Sequence, residues 1–265
     1  MSATLLPTQH QVKNLLLAAT PAADYEYLSE HLERVTLSGK ESIHLQGDSV
    51  NHLYFPLDCI VSSSVIMNDG SMIEVYMLGR ESATGIGAIF GEYVARNWVR
   101  VLVPGSALRL RSEIVRDMFR RSSAMQRLLM RAYRAAVTQI SQRAVCNGRH
   151  TILHRLSTWL LMVHDRVGSD NIPLTQEAIS GRLGARRASI TQAARYLQEA
   201  EAISYSRGKI HIDNRELIEQ QACECYEVMR REFNCFKRVE EREREEEEET
   251  PASRVLISGS LRDFR

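Results

Sequence analysis

The stretch from Leu174 to Ile203 constrains the fold most, because it predicts two helices joined by a tight turn. Thr175 is placed to cap the first helix, whose inner face would carry Ile179 and Leu183. Gly184 follows where the chain must turn sharply, and glycine reaches positive φ without steric cost. The second helix has three inward apolar positions: Ile190, Ala194 and Leu197. This pattern is typical of a helix-turn-helix whose second helix enters a DNA major groove.

Basic residues are concentrated in this motif, since no acidic residue occurs between Arg182 and Gln198. Arg186 and Arg187 fall at the start of the second helix, the end that meets base edges in this docking geometry. Further outward polar positions are Ser189, Thr191, Gln192 and Arg195. An arginine that holds guanine O6 and N7 with two hydrogen bonds contributes about 1–3 kcal/mol of discrimination. On spacing alone, an ordinary helical hairpin with a basic solvent face stays open.

Two short alternating segments after the second helix predict a β-hairpin around Gly208. A hairpin in this place is the wing of a winged helix. Arg207 and Lys209 at its tip are placed to contact phosphate, which adds affinity but reads no sequence. The wing favours the DNA-binding interpretation over the plain hairpin.

Composition sets wider bounds on the chain. Its 265 residues, 44% of them hydrophobic, are enough for two cores rather than one. The formal net charge is only +1, but a DNA-binding protein needs basic residues only where it meets DNA. No apolar run approaches the roughly 20 residues of a membrane span, and no secretion signal is seen. Five scattered cysteines suit a reducing cytoplasm, which is the expected location.

The N-terminal part of the chain predicts an antiparallel β-roll after a helical segment. Residues 12–32 have helical spacing interrupted at Pro21. From Val35 to Leu110 apolar residues mostly alternate with polar ones, in short segments separated by turns such as 68–71. Many short strands with regular turns imply a small roll or barrel.

One long helix is predicted next, from about Ser122 to Cys146, which would be roughly 38 Å long. Its narrow, alanine-rich apolar stripe suits a seam between two helices, so we expect it to form the interface of a homodimer. The stripe consists of Met125, Leu129, Ala132, Ala136 and Ile140. The alternative is that this stripe packs against its own β-roll.

A last helix is expected after the wing, capped by Asp213 or Asn214. Its buried face would consist of Ile218, Ala222, Cys225, Met229, Phe233 and Phe236. Beyond it, 239–249 carries eight Glu and two Arg, which predicts a solvated, disordered tail. An acidic arm that competes with DNA for the basic domain is the alternative.

Together these elements predict an α+β fold with four parts. An N-terminal antiparallel β-roll domain covers 1–120, a long dimerisation helix 121–148, a C-terminal winged helix-turn-helix 149–238 and the acidic tail 239–265. This order resembles the Crp–Fnr family of bacterial transcription regulators over nearly all of residues 12–238, which implies that the β-roll is a sensor domain. Its most specific segments here are the helix-turn-helix with its wing, and the Gly47-Asp48 turn with the Leu53-Tyr54-Phe55 strand.

The resemblance implies a homodimer on a two-fold-symmetric operator, with recognition helices about 34 Å apart. It implies double-stranded DNA and RNA polymerase as partners, with an unknown small-molecule effector and no membrane. Gln176 matches a position that often contacts the DNA backbone, Arg187 the arginine that reads a guanine, and Ser189 a hydroxyl position. Ala188 stands where many members have a glutamate and Gln192 replaces a frequent arginine, so the usual half-site is not expected.

The sensor departs further from the family. Its cyclic-nucleotide cassette uses a Gly-Glu pair for the ribose and an Arg-Ser pair for the cyclic phosphate. Here these positions are Gly85-Ile86 and Ala95-Arg96, with Gly91-Glu92 nearby. Isoleucine cannot bond a ribose, and a buried phosphate needs its countercharge. We therefore expect a sensor without the usual ligands and without a cofactor; a module gated by a cyclic nucleotide or another small ligand is the alternative.

No metal site or catalytic site is expected. The N-terminal cysteine cluster of the iron–sulfur members is missing, since the first cysteine is Cys59. Cys223 and Cys225 on one helix would point about 200° apart, which favours core or surface thiols. His150 and His154 lack a third ligand and are interpreted as structural. Without a nucleophile–base pair, phosphate loop or metal triad, the chain is not expected to be an enzyme.

Overall fold

The computed structural model describes residues 8–91, 94–206 and 208–234. Its helices are α1 Leu15–Ala18, α2 Ala22–Ser29, α3 Ile86–Ile89, α4 Ser112–Arg121, α5 Ser123–Arg149, α6 Ile152–Val167, α7 Gln176–Leu183, α8 Arg187–Glu199, α9 Arg215–Gln221 and α10 at 225–234. Its strands are β1 Glu33–Leu37, β2 Ser42–His44, β3 His52–Pro56, β4 Ile60–Ile66, β5 Met72–Leu78, β6 Trp98–Val103, β7 Gly105–Arg111, β8 Asn171–Ile172, β9 Ile203–Ser206 and β10 Lys209–Ile212. None of the helices in these segments is both long and apolar enough to cross a bilayer.

The predicted β-roll is confirmed as two antiparallel sheets. One has the order β1-β7-β3 and the other β2-β6-β4-β5. The turn between β4 and β5 falls at the predicted residues, with Gly70 at φ 79°. Along β3 and β7, Leu53 lies opposite Leu110 and Phe55 opposite Leu108, so one face of this sheet is continuously apolar. That face packs against α1, α2, α4 and the first half of α5.

The long helix is also confirmed, and it extends three residues beyond its predicted end. Helix α5 has 27 residues, equivalent to about 40 Å. The Ser122 hydroxyl caps it by accepting a hydrogen bond from the Met125 amide at 3.2 Å. The chain then becomes extended at His150 and restarts at once, with Thr151 capping α6. The two residues between α5 and α6 are therefore the connection to the C-terminal part.

The C-terminal part has a core that continues into the roll. Trp159 and Leu160 on α6 are fully buried, together with Ile190 on α8. Met77 of β5 and Ile60 of β4 belong to the same apolar cluster. The four-stranded sheet of the roll thus packs directly on the C-terminal domain, and one cluster spans the boundary predicted at residue 149.

The prediction of a single helix after the wing is wrong, because the structure has two helices there. Asn214 caps α9 as expected, but α9 ends at Gln221 and the backbone is extended at Ala222. Helix α10 then begins at 225. The Cys223 amide, which would continue the helix, instead donates to the Thr158 hydroxyl at 3.2 Å. A contact with α6, invisible to the sequence period, thus interrupts the helix. Phe236 and the acidic tail lie outside the described residues.

Candidate DNA-binding site

The helix-turn-helix is built by the capping residues that the sequence predicts. The Thr175 hydroxyl accepts a hydrogen bond from the Ala178 amide at 3.1 Å and starts α7. Gly184 ends α7 in the left-handed region, at φ 56° and ψ 41°. Its own amide bonds back to Gly181, which closes the helix end before α8 begins. Gly184 therefore ends α7 and begins the turn into α8.

Helix α8 divides cleanly into a buried and an exposed face. Ile190 and Leu197 have 0% relative exposure and Ala194 has 5%, as the spacing predicts. The opposite side carries the polar residues expected to contact DNA: Arg186 at the N-cap, Arg187, Ser189, Thr191, Gln192 and Arg195. Ser189 is half-buried and the others are exposed. Tyr196, which the sequence analysis did not select, is also exposed on this helix.

Charge is concentrated at the N-terminal end of α8. The first turn has no acidic residue, and neither Arg186 nor Arg187 has a carboxylate partner within the described residues. Arg195, two turns later, is instead paired with Glu199 at 2.7 Å. The positive end of the helix dipole adds to the two unpaired guanidinium groups. The end of α8 that would enter a groove is therefore its most electropositive part.

The predicted wing is present as a three-stranded sheet in the order β8-β10-β9. Strand β8 was not predicted, because two residues are too short for an alternating pattern. Lys209 begins β10 and is exposed next to the turn, where Gly208 has φ 78°. Arg207 and the side chain of Gln176 lie outside the described part of the structure.

Comparisons with known proteins agree with this geometry. The sequence model of the Crp-like helix-turn-helix domain family matches residues 154–220. FixK2 from Bradyrhizobium japonicum has the same fold, with a TM-score of 0.64, 15% identity and coverage of 72% of this chain and 98% of its own. A Crp-family transcriptional regulator from Thermus thermophilus gives a TM-score of 0.60 at 16% identity, covering 72% and 96%. This chain has the Crp–Fnr fold and a Crp-like helix-turn-helix domain.

A third structure of the Crp–Fnr fold is the c-di-GMP-responsive global regulator CLP from Xanthomonas campestris. It aligns with a TM-score of 0.57 at 13% identity, over 72% of this chain and 99% of its own. Among curated protein sequences none matches this chain significantly. Identities this low show the fold alone and leave the ligand to be argued from the residues.

Arg182 is not part of the basic surface, which corrects the sequence analysis. It lies on α7 but is 8% exposed and points toward the roll. Its Nε is 3.7 Å from a Glu74 carboxylate oxygen. An arginine paired with a buried carboxylate is unavailable to a phosphate or base. The unbroken basic run in the sequence therefore contains one residue with a structural role.

Glu74 is the centre of a buried polar network between the roll and the DNA-binding domain. Its carboxylate is 1% exposed and accepts hydrogen bonds from the Ser62 hydroxyl at 2.7 Å and the Trp159 indole at 2.8 Å. Arg143 of α5 lies 3.7 Å from it, at the same distance as Arg182. One side chain of the roll thus binds groups from α5, α6 and α7. Sequence reasoning missed it, because one glutamate in a strand gives no signal of its partners.

A second buried ion pair joins the same two parts. Arg166 of α6 binds Glu81, in the segment after β5, at 2.7 Å, and both side chains are less than 10% exposed. Glu81 also accepts the Gly79 amide at 3.0 Å. In the turn of the helix-turn-helix, a Cβ added at Gly184 would lie 3.3 Å from Ile73 of β5. Helix α7 and the turn of the helix-turn-helix are therefore held against the β4–β5 hairpin of the roll.

The roll and α5 line an open cavity of about 780 Å³. Its lining is mostly apolar, and Arg96, His44 and Asn97 are among the polar residues in it. Ile86, where the resemblance predicts a glutamate, is 5% exposed and packs in the roll core. Glu92 lies outside the described residues. Ile86 is also among the apolar residues that line the cavity.

The face of α5 that is free to meet a partner differs from the predicted stripe. Met125, Leu129 and Ala132 are at most 2% exposed and pack into the chain's own roll, which was the alternative prediction for this stripe. The prediction that these three residues form the dimer interface is therefore wrong. Ala136 is half-buried and Ile140 is 38% exposed. The exposed apolar residues of this helix are Met130, Tyr133, Val137, Ile140 and Val145. The sequence shows two adjacent stripes, and only packing distinguishes the inner one.

Three cysteines and one histidine lie close together, although the sequence predicted that Cys223 and Cys225 point apart. Cys146, His150, Cys223 and Cys225 bring their ligand atoms within 4.8 Å of one another. The argument that Cys223 and Cys225 point apart assumed one continuous helix, and the break after α9 makes it wrong. The four-residue spacing of Cys146 and His150, read together with the Cys-Glu-Cys segment, was the signal available in the sequence. His154 contacts the His150 ring at its edge but is outside the group.

Proposed function

We propose that this protein is a transcription regulator that binds a two-fold-symmetric DNA operator as a homodimer and reads it with α8. The observation that carries the proposal is the exposed, electropositive N-terminal turn of α8, with Arg186 and Arg187 unpaired within the described residues. Guanidinium groups in this position have the donors for guanine and for phosphate. The Crp-like domain and the Crp–Fnr fold support this function.

Residue differences along α8 support an operator of its own. Ala188 offers no acceptor to a cytosine amino group, which a glutamate there would provide. Gln192 is exposed one turn further along the helix and has the amide geometry that pairs with adenine. Thr191 and Arg195 extend the same face toward the DNA backbone. Lys209 on the wing adds a phosphate contact outside the groove.

The homodimer is supported by the exposed stripe on α5. Tyr133, Val137 and Ile140 are spaced four and three residues apart, the repeat of a helix pair seam, and each is more than a third exposed. These three residues also line the cavity between the roll and α5, so a partner helix that packs on them would cover that cavity as well. Two copies joined along α5 would present two recognition helices, as a two-fold-symmetric operator requires.

Selection of bound DNA by the purified full-length protein tests the proposal. The experiment is done at near-physiological salt, because phosphate contacts dominate at low salt and hide sequence preference. We expect enrichment of an inverted repeat. Weak binding to every duplex, with a steep salt dependence and no enriched sequence, would contradict sequence-specific recognition by the protein without an effector.

Two matched variants then separate base reading from phosphate contact. Arg187→Ala should cost about 1–3 kcal/mol on the selected site and flatten the preference at one position of each half-site. Lys209→Ala should weaken binding to all sequences alike and lower the salt slope by about one. If Arg187→Ala also weakens every sequence equally, Arg187 contacts only phosphate and the proposed reading of α8 is refuted.

The cavity in the roll supports a second candidate, in which DNA binding requires a small-molecule effector. At about 780 Å³ it has the size of a typical ligand site, and it is lined by α5 as well as by the roll. Its apolar lining with few polar groups favours an amphipathic ligand over a cyclic nucleotide. Calorimetric titration with cyclic AMP and cyclic GMP should show no binding. An operator enriched only in cell extract, and lost after dialysis, would favour the gated function.

A further inference from the structure

A compact group of four metal-ligand side chains lies at the connection between α5 and the DNA-binding domain. Cys146 is near the end of α5, and His150 is the first residue after it. Cys223 and Cys225 flank the start of α10, after the interruption that follows α9. The three thiols are at most 7% exposed, and the His150 side chain is 14% exposed. The group thus brings together two segments that lie about 75 residues apart in the chain.

The spacing of these atoms is that of a tetrahedral site. Zinc–sulfur bonds of about 2.3 Å and zinc–nitrogen bonds of about 2.0–2.1 Å require sulfur–sulfur edges of about 3.8 Å and sulfur–nitrogen edges of about 3.6 Å. The Cys146 and Cys223 sulfurs are 3.5 Å apart, and the Cys225 sulfur is 3.7 Å from His150 Nδ1. All four atoms lie within 4.8 Å of one another, so the other edges exceed these lengths by at most about 1.2 Å.

The groups around the cluster favour a bound cation. A histidine ligand commonly gives its second ring nitrogen to a carboxylate, which fixes the tautomer. Here His150 presents Nδ1 to the sulfurs, and its Nε2 lies 3.3 Å from Glu224. The Thr158 hydroxyl lies 3.1 Å from the Cys223 sulfur.

We propose that Cys146, His150, Cys223 and Cys225 bind one zinc ion as a closed Cys₃His site that ties the end of α5 to the start of α10. Three thiolates and one imidazole are a soft donor set that zinc occupies tetrahedrally in structural sites. All four positions are filled by the protein, so the ion has no vacancy for catalysis. The site fixes the connection through which α5 joins the DNA-binding domain.

Metal analysis of the full-length protein, purified with a thiol reductant and without a histidine tag, is the first test. We expect about one zinc per chain. Replacement by Co²⁺ should give the thiolate charge-transfer and intense visible bands of a tetrahedral sulfur site. Zinc that stays below about 0.2 per chain after reconstitution would overturn the proposal. So would iron with acid-labile sulfide, or a Cys146–Cys223 disulfide in the reduced preparation, since these define an iron–sulfur cluster and a redox pair.

Paired variants locate the ion. Cys223→Ser and His150→Gln should abolish stoichiometric zinc, whereas Cys59→Ser, a buried thiol in the roll, and His154→Gln should retain it. Zinc retained equally by Cys223→Ser and wild type would place the ion elsewhere and refute the assignment.

A third variant does not depend on the folding of a buried-thiol mutant. Glu224→Ala changes an exposed side chain and should keep the fold. Loss of its contact with His150 should weaken zinc affinity about tenfold in competition with a chromogenic chelator. Unchanged affinity would contradict the role given to Glu224. A structural site would be contradicted if the chelator removed zinc from the wild type without any change in its thermal unfolding.

Discussion

Glu74 offers the sharpest test of how the β-roll is joined to the helix-turn-helix domain. The substitution Glu74→Gln keeps the shape of the side chain and an acceptor for the Trp159 indole, but removes the charge. Arg143 and Arg182 then stay buried, each at most 10% exposed, without the carboxylate that lies 3.7 Å from both. The Nε atoms of both arginines have no hydrogen-bond partner in the described structure, so Glu74 supplies their main compensation.

The expected loss follows from the burial of all three groups. Removing one member of a buried ion pair costs about 3–5 kcal/mol, because the remaining charge has neither water nor a partner. Both arginines still donate to backbone carbonyls, so we expect the lower end, about 3 kcal/mol. That is a change of more than about a hundredfold in the folding equilibrium constant. Domains of ordinary stability, about 5–15 kcal/mol, would survive it in folded form.

Chemical denaturation followed by far-ultraviolet circular dichroism measures the difference. Glu33→Gln is the matched control: it breaks an ion pair with Arg109 that is exposed and lies within the roll, and it should cost less than about 1 kcal/mol. A loss for Glu74→Gln as small as for Glu33→Gln would refute the reasoning. It would mean that the backbone carbonyls alone compensate the buried guanidinium groups.

Two further predictions concern the roll and α5. Burial lowers the pKa of His44 from 6.5 to about 4, so only the unfolded chain takes up this proton between those pH values. The free energy of unfolding should therefore fall by up to about 3 kcal/mol from pH 6.5 to pH 4. His44→Gln should remove this part of the pH dependence of the unfolding free energy, measured by denaturation at several pH values. An unchanged pH dependence would contradict the prediction. Val137→Glu places a charge in the exposed stripe of α5 and should raise the dimer dissociation constant at least about tenfold in sedimentation experiments, whereas Leu45→Glu, equally exposed in the roll, should not. Equal dimerisation of both variants would place the interface elsewhere.

The local elements were predictable because their signals are local. The hydroxyl of Thr175 caps α7, Gly184 has the positive φ that its place requires, and the hairpin of β4 and β5 turns at 68–71. Each depends on residues within one turn or hairpin, so the sequence contains the whole interaction. The exposed face of α8 follows from the same logic, since the helical period separates Ile190 and Leu197 from Arg187.

The errors have a common physical cause, which is contact between segments far apart in the chain. Arg182 belongs to the basic run of the sequence. In the structure it pairs with Glu74 of the roll, across the domain boundary, and is therefore not on the basic surface. Met125 and Leu129 form an apolar stripe equally suited to a partner chain or to the roll, and packing selects the roll. The last helix breaks at Ala222 because Thr158 binds the next amide.

The sequence by itself determined the order of the elements, the caps and turns that bound them, and the residues that face outward from α8. Helical and strand periods, glycine at positive φ and side-chain caps act over a few residues, so they need no knowledge of the rest of the chain. Only the tertiary structure decided that Glu74 joins three helices to the roll, and that Cys146 and His150 meet Cys223 and Cys225. These contacts require the backbone to bring segments about 75 residues apart within a few ångströms, which no local pattern records.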